Sequence, residues 1–447
     1  MLIGFAEVEF TPKESDLPGE MEVIHATERG DGVFANAVAF TDGDESVILV
    51  SMDVLSFRAR YGDRIRRRIS EATGVPFDHI LVAGIHVHTG PALEYRMWTT
   101  PADEVVAQNT ADKTVEAAVA AWNARVEAKL GVGLGYNDEY AFNRDWRMKG
   151  GKLEMNPGYD KPLAEAMGPV DSSVNVMRVD DMNGKVLGFI VNYANHPDNL
   201  PMELRCGFSS DYSGVMKEEL RGVFGKDINV VYFNGTAGDI NCQDYKGGTS
   251  RRYIEGKHHR AHVEIGRGLA KTVLEVNERI KTRYESIEIK TLDRKHPIPR
   301  RFKTDEDYAW AIDVLRKAQT EKVKNGTLAF AIDYMQDDSG FSKTVDFEIH
   351  TIQIGPWAIV GLPSEICTKV GLKIKAYSPY IHTVVFELAN GTNGYITPDE
   401  AHHHDPKGIY EGRFATYNAC TGDGSTEIIS NGAIEMLCEM AEAKKAE

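Results

Sequence analysis

The chain has 447 residues, with 51 basic against 67 acidic side chains and a net charge of −16. That balance excludes a protein built to grip phosphate backbones, which needs basic stripes, and a hydrophobic share of 42% excludes disorder over the bulk of it. At about three times the roughly 150 residues taken as one domain, the chain can bury a large core without disulfides.

Five cysteines, Cys206, Cys242, Cys367, Cys420 and Cys438, are scattered and form no CxxC. A structural zinc knuckle or disulfide framework is therefore not expected, and a reducing compartment is. Met1–Ala6 carries no basic segment leading into a long apolar one, and no apolar run reaches the roughly 18 residues of a membrane span. The expectation is a cytoplasmic protein with no stable membrane association and no nucleic-acid partner.

In chain order, Ala35–Thr41 and Ser46–Val50 read as a hairpin around Asp42-Gly43-Asp44, a turn-forming cluster. Arg58–Ala72 is helical in pattern and is stopped by Gly74 and Pro76. Ile80–His88 reads as a strand, Asp103–Ala128 as the longest helix and Lys129–Tyr136 as a glycine-spaced strand. Strands follow at Ser172–Val179 and Val186–Tyr193, with a turn at Asp180–Gly184. Ser210 or Asp211 caps a helix through Phe224, and Asn229–Phe233 is a short buried strand. Helices are expected at 259–280, 305–323 and 425–444, and strands at 284–291, 346–354, 357–361 and 382–388. Arg294–Arg301, with two prolines and three arginines, is the most linker-like stretch and a candidate lobe junction. The alternation of strands and helices predicts an α/β chain.

The strongest chemical signal is Gly84-Ile85-His86-Val87-His88-Thr89-Gly90-Pro91. On a strand, residues two apart share a face, which would set His86 beside His88 where the strand stops. Strand ends are where α/β proteins build sites. The pattern fits a metal or catalytic pair, although two hydrogen-bonded histidines near a turn would read the same. A second apolar run delivers His196 into Asn195-His196-Pro197, as core histidine or as ligand. His258 and His262 lie four apart, but His259 stands where the zincin motif has glutamate, so the segment reads as a solvated helix start. His402-His403-His404 reads as an exposed loop cluster. Asn234–Asp239 is a small-residue turn without the P-loop ending, Glu365 follows a strand, and Asn390–Pro398 is a polar glycine loop presenting Tyr395.

In their order along the chain, these segments resemble the catalytic domain of the neutral/alkaline (non-lysosomal) ceramidase family. The resemblance runs through His86–Pro91, Asn143-Arg144 with Asn156-Pro157, Val170-Asp171, Asn192–Pro197 and Ser210-Asp211 with Gly214. It continues through Asn234–Asp239, Leu362–Glu365, Gly394–Pro398 and Tyr410–Gly412. It implies central β-sheets flanked by helices in a single catalytic unit over 1–447, without the immunoglobulin-like domain of longer relatives. It also implies Zn2+ on His86, His196, Glu365 and Tyr395, with His88, Arg144 and Tyr410 as catalytic groups. Where the family has a serine, this chain has Gly235, which argues for activated water rather than a serine nucleophile.

The expected activity is hydrolysis of an amide C–N bond in a small N-acylated substrate. The missing signal segment and the acidic charge tell against ceramide itself, which must be drawn from a bilayer. A zinc esterase or lactonase would use the same residues, because the ligands do not choose the leaving group. A metal-containing binding protein without turnover and an HxH amidohydrolase barrel are the remaining alternatives. The sequence leaves the oligomeric state open.

Overall fold

The computed structural model describes residues 1–18, 23–94, 102–159, 161–246, 261–281, 283–402, 409–413 and 420–442. Two sheets dominate. The larger is built from β1 (Leu2–Glu9), β2 (Phe34–Asp42), β3 (Glu45–Met52), β4 (Ile80–Gly84), β5 (Val126–Tyr136), β6 (Ser173–Asp181), β7 (Val186–Tyr193) and β8 (Asn229–Asn234). Its spatial order is β8-β7-β6-β5-β1-β2-β3-β4. The smaller has β9 (Ile289–Pro299), β10 (Thr344–Ile354), β11 (Trp357–Gly361) and β12 (His382–Phe386), side by side in chain order. Most neighbours are antiparallel, but β3–β4, β7–β8 and β11–β12 run parallel.

The strands are apolar on both faces because both faces are covered. On β2, Ala37 and Ala39 face the helices α1 (Ala59–Thr73) and α2 (Glu104–Asn123), while Val38 and Phe40 face the smaller sheet. At the other end of the large sheet, Val191 and Val230 meet α3 (Asp211–Phe224) and α4 (Ala261–Arg279), while Ile190 and Val231 join the layer between the sheets. There Ile352, Trp357, Ile359 and Phe386 of the smaller sheet complete a common core. The outer face of the smaller sheet carries α8 (Ser425–Glu442) and α7 (Thr368–Tyr377). The architecture is thus helix, sheet, sheet, helix, with α5 (Asp305–Lys317) and α6 (Asn325–Tyr334) forming a satellite pair.

The large sheet coils until β8 returns to β3, where the Ser51 hydroxyl donates to the Tyr232 carbonyl at 2.6 Å. Phe233 at the end of β8 stacks on Phe386 at the end of β12, centroids 4.2 Å apart. This closure brings the ends of β4, β7, β8, β11 and β12 to one place, although they come from distant parts of the order.

The hairpin, the helix stopped at Gly74 and the strand Val186–Tyr193 lie where expected. Three expectations change. The longest helix ends at Asn123, because Val126 and Glu127 pair with β1 at Ile3 and Leu2 instead. The expected strand to His88 stops at Gly84. The stretch from Arg294 is not a linker: Arg294–Pro299 is the second half of β9, paired with β10 to its last residue. Its prolines are tolerated because β9 is an edge strand with one ladder to satisfy.

A candidate metal centre at the strand ends

Because β4 stops at Gly84, strand alternation does not place His86 and His88. A sharp reversal does. His86 adopts φ 70°, its N–H donates to the Val54 carbonyl at 3.0 Å, and its Nδ1 lies 3.0 Å from the Leu55 carbonyl. A left-handed non-glycine residue costs about 1–3 kcal/mol and persists where the surroundings over-determine it. An Nδ1–H held by a carbonyl leaves Nε2 with its lone pair. That Nε2 lies 3.1 Å from His196 Nε2 and 3.1 Å from Glu365 Oε2.

His196 leaves the end of β7 and is 5% exposed. Its Nδ1 sits 3.4 Å from the Ala237 carbonyl. Burial, then the Arg144 charge and the neighbouring histidines, hold it well below the usual imidazole range, so it is neutral. His88 is less buried; its N–H donates to the Pro197 carbonyl at 3.2 Å and its Nε2 is 3.1 Å from His196 Nε2. His86, His88 and His196 thus offer nitrogens that all fall within 4.8 Å of one another.

Glu365 and Tyr395 are opposite residues of a short parallel pairing, Glu365–Ile366 with Tyr395–Ile396, so both side chains project the same way. Tyr395 is 3% exposed. Burial and then the Glu365 carboxylate push its hydroxyl well above the ordinary tyrosine range, against the pull of Arg144. Arg144 spans the site: Nη2 donates to the Gly238 carbonyl at 2.8 Å and the Tyr395 hydroxyl at 3.2 Å, and Nη1 lies 3.4 Å from His196 Nδ1. Its Nε donates to the buried Glu411 carboxylate. Burial opposes this charge, but Glu411 and Tyr395 outweigh it and hold the guanidinium well above its usual value. Tyr410, half-buried, sets its ring edge-on to Tyr395 with centroids 5.7 Å apart.

All seven residues expected from the sequence therefore fall in one connected cluster. The donor set fits a cation. Two imidazole nitrogens and a carboxylate oxygen, each 3.1 Å from His86 Nε2 or at it, bring lone pairs together in a buried space, and a divalent ion among them would remove that repulsion. His88 Nε2 lies as near His196 Nε2 as His86 Nε2 does, 3.1 Å in each case.

Four buried carboxylates here had no assigned role. Glu411 braces Arg144, and Asp145 next to it is driven well above the carboxylate range by burial and by Glu411. Asp239 accepts from Thr368 N at 2.8 Å and Asn143 Nδ2 at 2.7 Å. Glu387 follows β12 and accepts from Asn234. Glu411 carried a signal as the middle residue of Tyr410-Glu411-Gly412, and Asp239 as the last residue of the Asn234–Asp239 turn; Asp145 and Glu387 need the fold. Gly235 is explained by packing: a Cβ there would lie 2.9 Å from Ala194 Cβ.

Of the histidine clusters set aside, His258, His259, His403 and His404 lie outside the described residues. His262 is buried at the start of α4, not solvated, and His402 Nδ1 is 2.7 Å from Asp423. Beside Glu365 is a cavity of about 40 Å3, lined among others by Leu55, Arg58, Leu93, Glu94 and Thr392. Glu94 accepts from Arg58 N at 3.1 Å, and burial, opposed by Arg58 and Arg60, raises its carboxyl. Among the described residues no helix is long and apolar enough to cross a membrane.

Fold and site together define an α/β protein with a histidine, carboxylate and tyrosine cluster at converging strand ends. Its fold is that of the neutral ceramidases. The neutral ceramidase from Pseudomonas aeruginosa matches with a TM-score of 0.74 at 16% identity, over 99% of this chain and 74% of that one. A ceramidase complexed with C2 matches with a TM-score of 0.72 at 14% identity, over 99% and 75%. No protein-family model and no curated protein matches the sequence.

Proposed function

We propose that this protein is a zinc-dependent hydrolase that cleaves the amide C–N bond of an N-acylated small molecule. The observation that carries the reading is the convergence of His86 Nε2, His196 Nε2 and Glu365 Oε2 at 3.1 Å, with Arg144 and Tyr395 adjoining. The ceramidase names of both structural neighbours support the amide as the target bond.

His86, His196, Glu365 and Tyr395 would hold the ion, which when bound supplies Lewis acidity toward a carbonyl and acidifies water. Arg144 offers a fixed positive charge for the oxyanion that develops as water adds to the carbonyl. It cannot drift, because Glu411 and the Gly238 carbonyl hold its other edges. The Tyr410 hydroxyl would be a second donor, its ring packed edge-on to Tyr395. His88, the least buried of the three histidines, takes the proton from the attacking water and gives it to the departing nitrogen. The C–N bond breaks, leaving a carboxylic acid and an amine.

The preference for a compact substrate over a two-tailed lipid rests on the net charge of −16, which is poorly suited to anionic membrane surfaces.

Metal analysis of protein purified without a histidine tag tests the reading. The expected result is about one zinc per chain, lost together with amide hydrolysis in His86→Ala. Full activity in metal-free protein would overturn the mechanism. A panel of N-acyl amides against matched esters decides the bond cleaved: faster turnover of the esters would replace the amidase with an esterase.

A further inference from the structure

Glu387 is 1% exposed and stands one residue beyond β12. One carboxylate oxygen accepts from Asn234 Nδ2 at 2.8 Å; the other accepts from Ala237 N at 3.1 Å and Ile366 N at 3.3 Å. Its own N–H donates to the Asn234 carbonyl at 3.3 Å. These partners are not scattered. Ile366 is the neighbour of Glu365 on the short strand that aims that carboxylate, and the carbonyl of Ala237 is the one facing His196 Nδ1. A single side chain therefore ties the carboxylate arm of the centre to the turn that orients one of its imidazoles. Burying a carboxylate is costly unless its lone pairs are met. Here they are met by groups from the two segments on either side of the centre.

Resting on the zinc-hydrolase reading, we propose that Glu387 is a positioning residue that sets the relative placement of Glu365 and His196 and so the affinity of the centre for its metal. Partners that orient metal ligands typically change affinity or activity about 10–100-fold when removed. A brace that served only the fold would lower stability equally with and without metal. A positioning residue changes the metal site itself.

Glu387→Gln keeps the volume but turns one acceptor into a donor, so an amide N–H must face an N–H. Asn234→Ala removes one of the three donors and leaves the carboxylate in place. Zinc dissociation constants come from competition with a chromophoric chelator, and site geometry from the visible spectrum of the Co2+-substituted protein. The expected result is a zinc dissociation constant raised about 10–100-fold in Glu387→Gln, with a smaller rise in Asn234→Ala. A shifted Co2+ band and a fall in kcat with KM near wild type accompany it. Wild-type affinity and an unchanged Co2+ spectrum in folded Glu387→Gln would overturn the inference alone. Should that variant fail to fold, unchanged zinc affinity in Asn234→Ala overturns it equally. A wild-type protein that binds no zinc overturns the zinc reading and this inference with it.

Discussion

The left-handed turn at His86 and the bare Cα at Gly235 answer the same demand, close approach of segments that each bring one group to the centre. The Gly235 position has a measurable consequence. In Gly235→Ser the new Cβ meets Ala194 at 2.9 Å, a backbone-supported neighbour that cannot swing aside. Overpacking of this kind costs about 1–3 kcal/mol. The unfolding free energy of the variant should fall by that amount, read as a lower urea midpoint with an unchanged slope, and an unchanged midpoint would show that the turn yields. Residues at this scale were partly legible. His86, His88 and His196 stand out because each follows an apolar run that ends in a Gly-Pro or Asn-Pro context. Glu387 does not, because an acidic residue after a strand looks the same whether it meets water or three N–H groups.

Helix α5 shows how far local rules reach. Thr304 accepts from Asp307 N at 3.2 Å while the Asp307 carboxylate accepts from Thr304 N at 2.8 Å, a reciprocal capping box. Thr304→Ala should cost about 1 kcal/mol, read as a lower denaturant midpoint; no loss would mean that packing against α6 alone fixes the start of the helix. By contrast, the side-chain cap expected at Ser210 or Asp211 is not formed, the Ser210 hydroxyl donating to the Gly32 carbonyl instead. The hairpin, the stop at Gly74 and the buried parallel strands were readable because their signals are local. The fate of Arg294–Pro299 was not. Its arginines and prolines look like a linker until β10 supplies a full ladder and Glu439 of α8 supplies a partner to Arg294 at 2.6 Å. Likewise the end of α2 gave way to strand pairing with β1, a long-range contact that no window of sequence contains.

At the scale of the molecule, the helical and small-sheet layers are joined through a buried charge. Arg66 of α1 is 0% exposed and reaches Glu348 of β10 at 2.8 Å and Asp293 of β9 at 2.9 Å. Asn390 donates to Glu348 at 2.7 Å and lies 3.1 Å from His350 Nδ1, and the other His350 nitrogen is 2.8 Å from the Asp78 carbonyl. Burial and then Arg66 push His350 down to about 4. The unfolded chain takes up this proton near pH 6.5 and the folded one does not until about pH 4. Stability from this group is therefore complete above pH 6.5 and is lost as pH falls toward 4, by about 3 kcal/mol in all. His350→Gln should flatten the dependence of Tm on pH across that window relative to wild type; parallel profiles would refute it.

The closure of the large sheet onto itself has a bearing on when the centre comes into being. Its groups arise from separate segments spread between His86 and Glu411, and none of them is placed by its own segment alone. Synthesis delivers the histidines early and the loop carrying Tyr395 late. During most of its emergence from the ribosome the chain therefore holds imidazoles with nothing to set them against. A complete donor set exists only once the smaller sheet has docked, so loading of the proposed metal would await the finished fold rather than the nascent chain.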